Sequence, residues 1–194
     1  MSAGSTRIGT RERWNLQLTL NHAGRQLWEH RERLICIKKR GESAEHVAMK
    51  VLAYVLLFRP GLAIEASADQ HYKPDVLLRD RDGHAIIWAD CGATSVRKLD
   101  TISARNRRTQ ITIVKAHLKE LASFKRSAIK SLRCPDRVCW WAFRDHFVTE
   151  LAHRFGGRHS LEVSVAAVAG EPPNHIYVTL DGETLDSPVI RLTG

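Results

Sequence analysis

The chain has 194 residues, 43% of them hydrophobic and 26% charged, an ordinary balance for a soluble globular protein of one domain. Thirty basic residues against 21 acidic ones give a net charge of +9, which favours an anionic partner, nucleic acid first among them. The longest apolar run, Val51 to Phe58, is well short of the roughly 18 residues that span a bilayer, and four scattered cysteines are too few for a disulfide scaffold, so free thiols, a cytoplasmic location and no membrane partner are expected.

Residues 1–12 are polar and arginine-bearing, with no apolar segment of signal-peptide type, and are expected as a disordered lead-in to a single domain over 13–194. Alternation predicts strands at Trp14 to Asn21, with Leu16, Leu18 and Leu20 on one face, and at Arg33 to Lys39. Ser43 is placed to cap a helix whose buried side is Val47, Val51, Leu52, Val55 and Phe58, and Arg59-Pro60-Gly61 ends it. A short strand at Leu62 to Glu65 follows. Pro74 to Leu78 and Ala85 to Asp90 read as strands joined by a turn at Asp82-Gly83, the second apolar throughout and hence central in the sheet. Thr94-Ser95 caps a helix carrying Val96, Leu99 and Ile102 on one side. Then come a buried strand at Gln110 to Val114, an amphipathic helix at Leu118 to Leu132 and a strand at Arg137 to Phe143 bearing Trp140-Trp141. A helix at Asp145 to Phe155 and strands at Leu161 to Val168, His175 to Leu180 and Val189 to Leu192 complete the chain. This order predicts an α/β fold: a mixed central sheet flanked by helices, with extra N- and C-terminal strands.

Charge is uneven along the chain. Residues 160–194 hold one basic and five acidic residues, so the first 159 carry a net +13, and the anion-binding surface is expected there. That same stretch holds the residue types that divalent-metal phosphodiester chemistry needs. Hard oxygen ligands on rigid elements hold Mg²⁺ or Mn²⁺ where it activates water. Asp75 opens one hairpin strand and Asp90 ends its partner, with the Asp82-Gly83 turn midway, so both carboxylates are expected at one end of the hairpin. Cys91 can add its backbone carbonyl, Glu45 in the first turn of the first helix is a further candidate ligand, and Glu65 is a reserve. Aspartates at strand ends also cap turns without any metal. Cys134, Cys139, His146 and His153 lack the second close pair that zinc sites show, and Cys139 reads as core.

Taken together, Lys73-Pro74-Asp75, Arg79-Asp80, Gly83, Ile87-Trp88-Ala89-Asp90-Cys91-Gly92, Arg97-Lys98-Leu99 and Trp140-Trp141 resemble the YaeQ family, within the PD-(D/E)XK nuclease superfamily. The resemblance covers most of the chain and implies a restriction-endonuclease-like core, with Asp75, Asp90, Cys91 and Glu45 around a divalent cation. It departs from the pattern at two places. Asp90 stands where that family usually has glutamate, and Gly92 stands at the lysine position. The resemblance implies that Lys98, from the following helix, supplies the missing ammonium, with Arg97 beside it; a solvated helix residue is the plainer alternative. Arg105, Arg107 and Arg108, at the far end of that helix, read as phosphate contacts or as a solvated charged end. One of Trp140 and Trp141 is core; the other stacks on a base or packs under a helix. Two functions follow: a Mg²⁺-dependent nuclease, or a catalytically inactive nucleic-acid-binding or regulatory protein on the same fold.

Overall fold

In the computed structural model, which describes residues 11–66, 68, 71–168 and 170–193, strand β1 (Glu12–His22) and β2 (Leu27–Lys38) form a long antiparallel hairpin. Trp14, Leu16, Leu18 and Leu20 take alternate positions along β1 and all are buried, the period of two that a half-buried sheet imposes. Of the expected lead-in, residues 1–10 lie outside the described residues, and β1 has already begun at Glu12.

Ser43 caps α1 (Ala44–Leu57), its Oγ accepting the His46 N–H at 3.1 Å. One buried side was expected here, but every residue from Val47 to Leu57 is buried. The reason is that α1 packs against strands of both sheets described below, so no face is left for solvent.

The chain then lays down β3 (Ala63–Ile64), β4 (Val76–Arg79) and β5 (Ala85–Cys91) as an antiparallel set. The β4–β5 turn is built by Asp80, whose Oδ1 accepts the N–H groups of Asp82 and His84, and by Gly83 in the left-handed region at φ +83°. Helix α2 (Val96–Arg105) returns the chain to β6 (Gln110–Lys115), parallel to β5, and α3 (Leu118–Ala128) leads to β7 (Val138–Ala142), parallel to β6. After α4 (Phe147–Arg154) come β8 (Arg158–Ala166), β9 (His175–Leu180), β10 (Glu183–Pro188) and β11 (Ile190–Arg191).

These strands make two mixed sheets, ordered β10-β9-β8-β1-β2 and β11-β7-β6-β5-β4-β3. The mixed α/β class expected from the element order is therefore present, but the terminal strands form a sheet of their own. Strand β8 pairs parallel with β1, a contact that no local pattern encodes. One core lies among both sheets, α1 and α4; the second lies where α2 and α3 cover the other face of the β5-containing sheet.

Three local expectations are corrected. Helix α3 stops at Ala128, which leaves Leu118 and Ile129 exposed rather than inward. Cys139 is only half-buried. Glu183–Pro188, not expected as a strand, is recruited by pairing with β9 across the Asp181-Gly182 turn, at a sheet edge where a proline costs no ladder bond. Trp140 and Trp141 are both buried, one in each core. Among the described residues no helix is long and apolar enough to cross a membrane.

Candidate functional site

Strand β5 is apolar because both its faces are covered, and its last turnable position before the loop to α2 is Asp90. The β4–β5 register pairs Val76 with Ala89, so the next step along the ladder sets Asp75 beside Asp90, and Asp75 N–H donates to Ala89 O at 2.9 Å. The two carboxylates are engaged from opposite sides of the sheet. Asp90 is 1% exposed; Trp88 Nε1, two residues back on the same face, donates to its Oδ1 at 3.2 Å. Lys98 Nζ, from the first turn of α2, lies 2.9 Å from each Asp90 oxygen, with its hydrogen bond directed to Oδ1, and also donates to Lys73 O at 3.0 Å. Oδ2 of Asp90 is buried and accepts no hydrogen bond. Asp75 Oδ2 accepts the Cys91 N–H at 2.8 Å and lies 3.2 Å from His46 Nε2 on α1.

These surroundings push the two acids apart. Burial raises the Asp90 carboxyl above the ordinary aspartate value; Lys98 and Trp88 pull it back, the Asp75 charge adds to the rise, and the net is upward. Burial also works to raise Asp75, but the His46 hydrogen bond and charge, the Cys91 N–H and the Lys50 charge outweigh it, and its pKa is held low.

Gly92, two residues after Asp90, has φ +62°, and a Cβ there would lie 3.2 Å from Met49 Cε and 3.7 Å from His46 Cδ2. A side chain at this position would be strained and crowded against Met49. Lys98 has its N–H held by the Ser95 cap, whose Oγ accepts it at 3.2 Å, and its ammonium lies at Asp90.

Behind Asp75 lies a polar network. His46 stands between two carboxylates, with Nδ1 3.0 Å from Glu42 and Nε2 on Asp75. Lys50, only 2% exposed, bridges Glu42 and Glu65, and Glu65 is also paired with Lys39 at 3.1 Å. The sequence holds a signal for this network: Glu42, His46 and Lys50 recur every fourth residue, the spacing that stacks side chains on one helix face.

Asp75, Asp90, Lys98 and the Cys91 backbone are therefore together. Glu45 is not brought to them: one residue before His46 on α1, its carboxylate turns to α4 and accepts Thr149 Oγ1 at 2.6 Å. Arg97 is exposed beside Lys98, while Arg105, Arg107 and Arg108 lie at the other end of α2. Among the described residues, the cysteine–histidine set around Cys134 and Cys139 forms no ligand cluster; the group that converges is Asp80, Asp82 and His84, all exposed on the β4–β5 turn.

Hard carboxylate oxygens fit Mg²⁺ or Mn²⁺. Oδ2 of Asp90 lies 2.9 Å from the Lys98 ammonium without a directed hydrogen bond, and Oδ1 of the adjacent Asp75 accepts none among the described residues, so each acid keeps an oxygen that a cation could share.

The model of the family described as YaeQ protein matches residues 10–186. Among solved structures, the chain is similar to the YaeQ protein from Pseudomonas syringae, with a TM-score of 0.75, 19% identity, and 95% of this chain and 97% of that one covered. It is similar also to the YaeQ protein from Xanthomonas axonopodis pv. citri, with a TM-score of 0.78, 12% identity, and 95% and 99% covered. At these identities the likeness is one of fold. No curated protein matches the chain. Because the family model matches residues 10–186, most of the chain and both Asp75 and Asp90, the chain belongs to the YaeQ family.

Proposed function

We propose that this protein is a divalent-metal-dependent nuclease with a PD-(D/E)XK-like site. The observation that carries the proposal is Lys98 Nζ at 2.9 Å from a buried Asp90 whose ladder neighbour is Asp75. This supplies two carboxylates and an ammonium at one strand end although Gly92 has no side chain. Asp75, Asp90 and the Cys91 carbonyl would hold Mg²⁺ or Mn²⁺. A bound ion of this kind polarises a phosphoryl oxygen and makes water a stronger nucleophile.

The chain's own residues do the rest. Trp88 Nε1 and Lys98 fix the Asp90 carboxylate, and His46 and the Cys91 N–H fix that of Asp75. Lys98, 21% exposed and tethered by Lys73 O, reaches the site from the solvent side. There its N–H groups can donate to the attacking water or to the charge that gathers on phosphate. The net charge of +13 on the first 159 residues, which include the whole site, favours a polyanionic substrate.

The test is cleavage of labelled single- and double-stranded DNA and RNA with Mg²⁺ or Mn²⁺. Wild type is expected to cut, and EDTA or Asp90→Ala to abolish the cutting. If wild type cuts none of these, while nucleic acid still binds in a metal-independent and salt-sensitive way, the non-catalytic binding function on the same fold takes its place.

A further inference from the structure

At the end of the β4–β5 hairpin away from Asp75 and Asp90, the turn and the C-terminus of α2 enclose a cavity of about 450 Å³. Its rim is basic: Arg105, Arg107 and Arg108 all line it and all are exposed, with His84 opposite. None of these three arginines has a carboxylate partner among the described residues. Arginines elsewhere in the fold do have one, as in Arg133 with Asp100 at 2.9 Å and Arg144 with Glu150 at 3.3 Å. One acid, Asp80, is also in the cavity wall; its Oδ1 accepts two backbone N–H groups of the turn, its Oδ2 lies 3.6 Å from His84, and the three arginines outnumber it. Arg79 likewise donates to Gly83 O within the turn. The floor is apolar, with Ala68, Ala85 and Ile86. Three uncommitted guanidiniums around an apolar floor match a phosphate with its attached sugar and base.

The position of the cavity matters as much as its chemistry. Helix α2 connects the two places, with Lys98 in its first turn at Asp90 and Arg105 as its last residue. The helix rise between them is about 10 Å.

We propose that this cavity seats a backbone phosphate of the nucleic-acid strand, further along the strand than the position held at Asp90 and Lys98. The proposal rests on the nucleic-acid reading above but not on catalysis. A strand long enough to reach both places gains contacts that a shorter one lacks.

Binding of fluorescent oligonucleotides of increasing length in Ca²⁺, measured by anisotropy across salt concentrations, tests this on wild type and on the triple variant Arg105→Ala, Arg107→Ala, Arg108→Ala. The three side chains are exposed, and equal melting of the two proteins checks that the fold is intact. Wild-type affinity is expected to rise as the strand lengthens from a mononucleotide, and the triple variant to lose that gain, its salt slope flatter by about 1 for each lost contact. Equal affinity and equal slope in the two proteins would overturn the proposal. So would arginine-dependent binding of a mononucleotide with no gain on lengthening, which would mark a nucleotide pocket instead. Cleavage is scored separately: wild type that cuts nothing but binds through the arginines ends the nuclease proposal and leaves the phosphate seat standing. Cutting with unchanged binding in the triple variant does the reverse.

Discussion

Removing the Lys98 ammonium leaves Asp90 buried beside Trp88 with no cation to face it. Lys98→Ala is therefore expected to destabilise the protein by about 3 kcal/mol in EDTA, the lower end for a broken buried pair. Mn²⁺ should restore more stability to the variant than to wild type, which thermal melting with and without the ion measures. Where cleavage is observed, the same substitution should slow it by about 10²-fold or more, the usual loss for one donor to developing charge. Gly92→Ala should cost about 1–2 kcal/mol because of its positive φ, seen in denaturant unfolding, and Gly92→Lys should not rescue Lys98→Ala. The thiols divide on the same grounds. Burial pushes Cys36 up to about 12, and burial together with the Asp75 and Asp90 charges pushes Cys91 well up. A thiol reagent at neutral pH should label half-buried Cys134 and Cys139 in the native protein, and Cys36 and Cys91 only on unfolding. Labelling of Cys91 at the native rate of Cys134 would contradict its place beneath the site.

Helix α1 shows what lies at the level of elements. Its bounds were legible in Ser43 and in Arg59-Pro60-Gly61, since caps and breakers act locally. Its burial on all sides was not, because that depends on a second sheet in which β8, more than a hundred positions away, joins β1. Lys50 is the clearest case: it interrupts an apolar helix, and only the approach of Glu42 and Glu65 makes its burial tolerable. Burial works to lower the Lys50 pKa, but hydrogen bonds to the two acids win and raise it. Burial works to raise that of Glu65, and Lys50 and Lys39 win and lower it. The contribution of Glu65 is thus full above its ordinary value of 4.5 and is lost as pH falls through its lower folded value. That of Lys50 is full below 10.5 and is lost as pH rises through its higher folded value. Lys50→Ala should destabilise by about 3 kcal/mol near neutrality, since it removes the buried cation between Glu42 and Glu65 and leaves only the more exposed Lys39 on Glu65. Melting against pH should show the gap between wild type and variant narrowing in acid below 4.5. A gap independent of pH would contradict the pairing.

At the scale of the molecule, the hairpin that pairs Asp75 with Asp90 was legible because a turn dipeptide fixes a register, and a register fixes which residues meet. Lys98 was reached only through the family resemblance, since no local pattern says which strand end a helix lysine faces, and in the fold its ammonium lies at Asp90. His46 escaped because a lone histidine in a helix carries no local mark of the strand it faces; its partner is 29 residues away. The division into two sheets escaped for the same reason. What joins these scales is a basic chain that sets a buried Asp90 beside a half-buried Asp75, an arrangement that repels phosphate unless a cation lies between them.

Titration of Mn²⁺ into the protein, followed by calorimetry, tests that point most directly. Wild type, Asp90→Ala and Asp80→Ala are compared, the last because Asp80, Asp82 and His84 form an exposed group that can also attract a cation. The account predicts a saturable site in wild type that Asp90→Ala removes and Asp80→Ala keeps. Equal binding by wild type and Asp90→Ala, or loss of binding in Asp80→Ala alone, would contradict it.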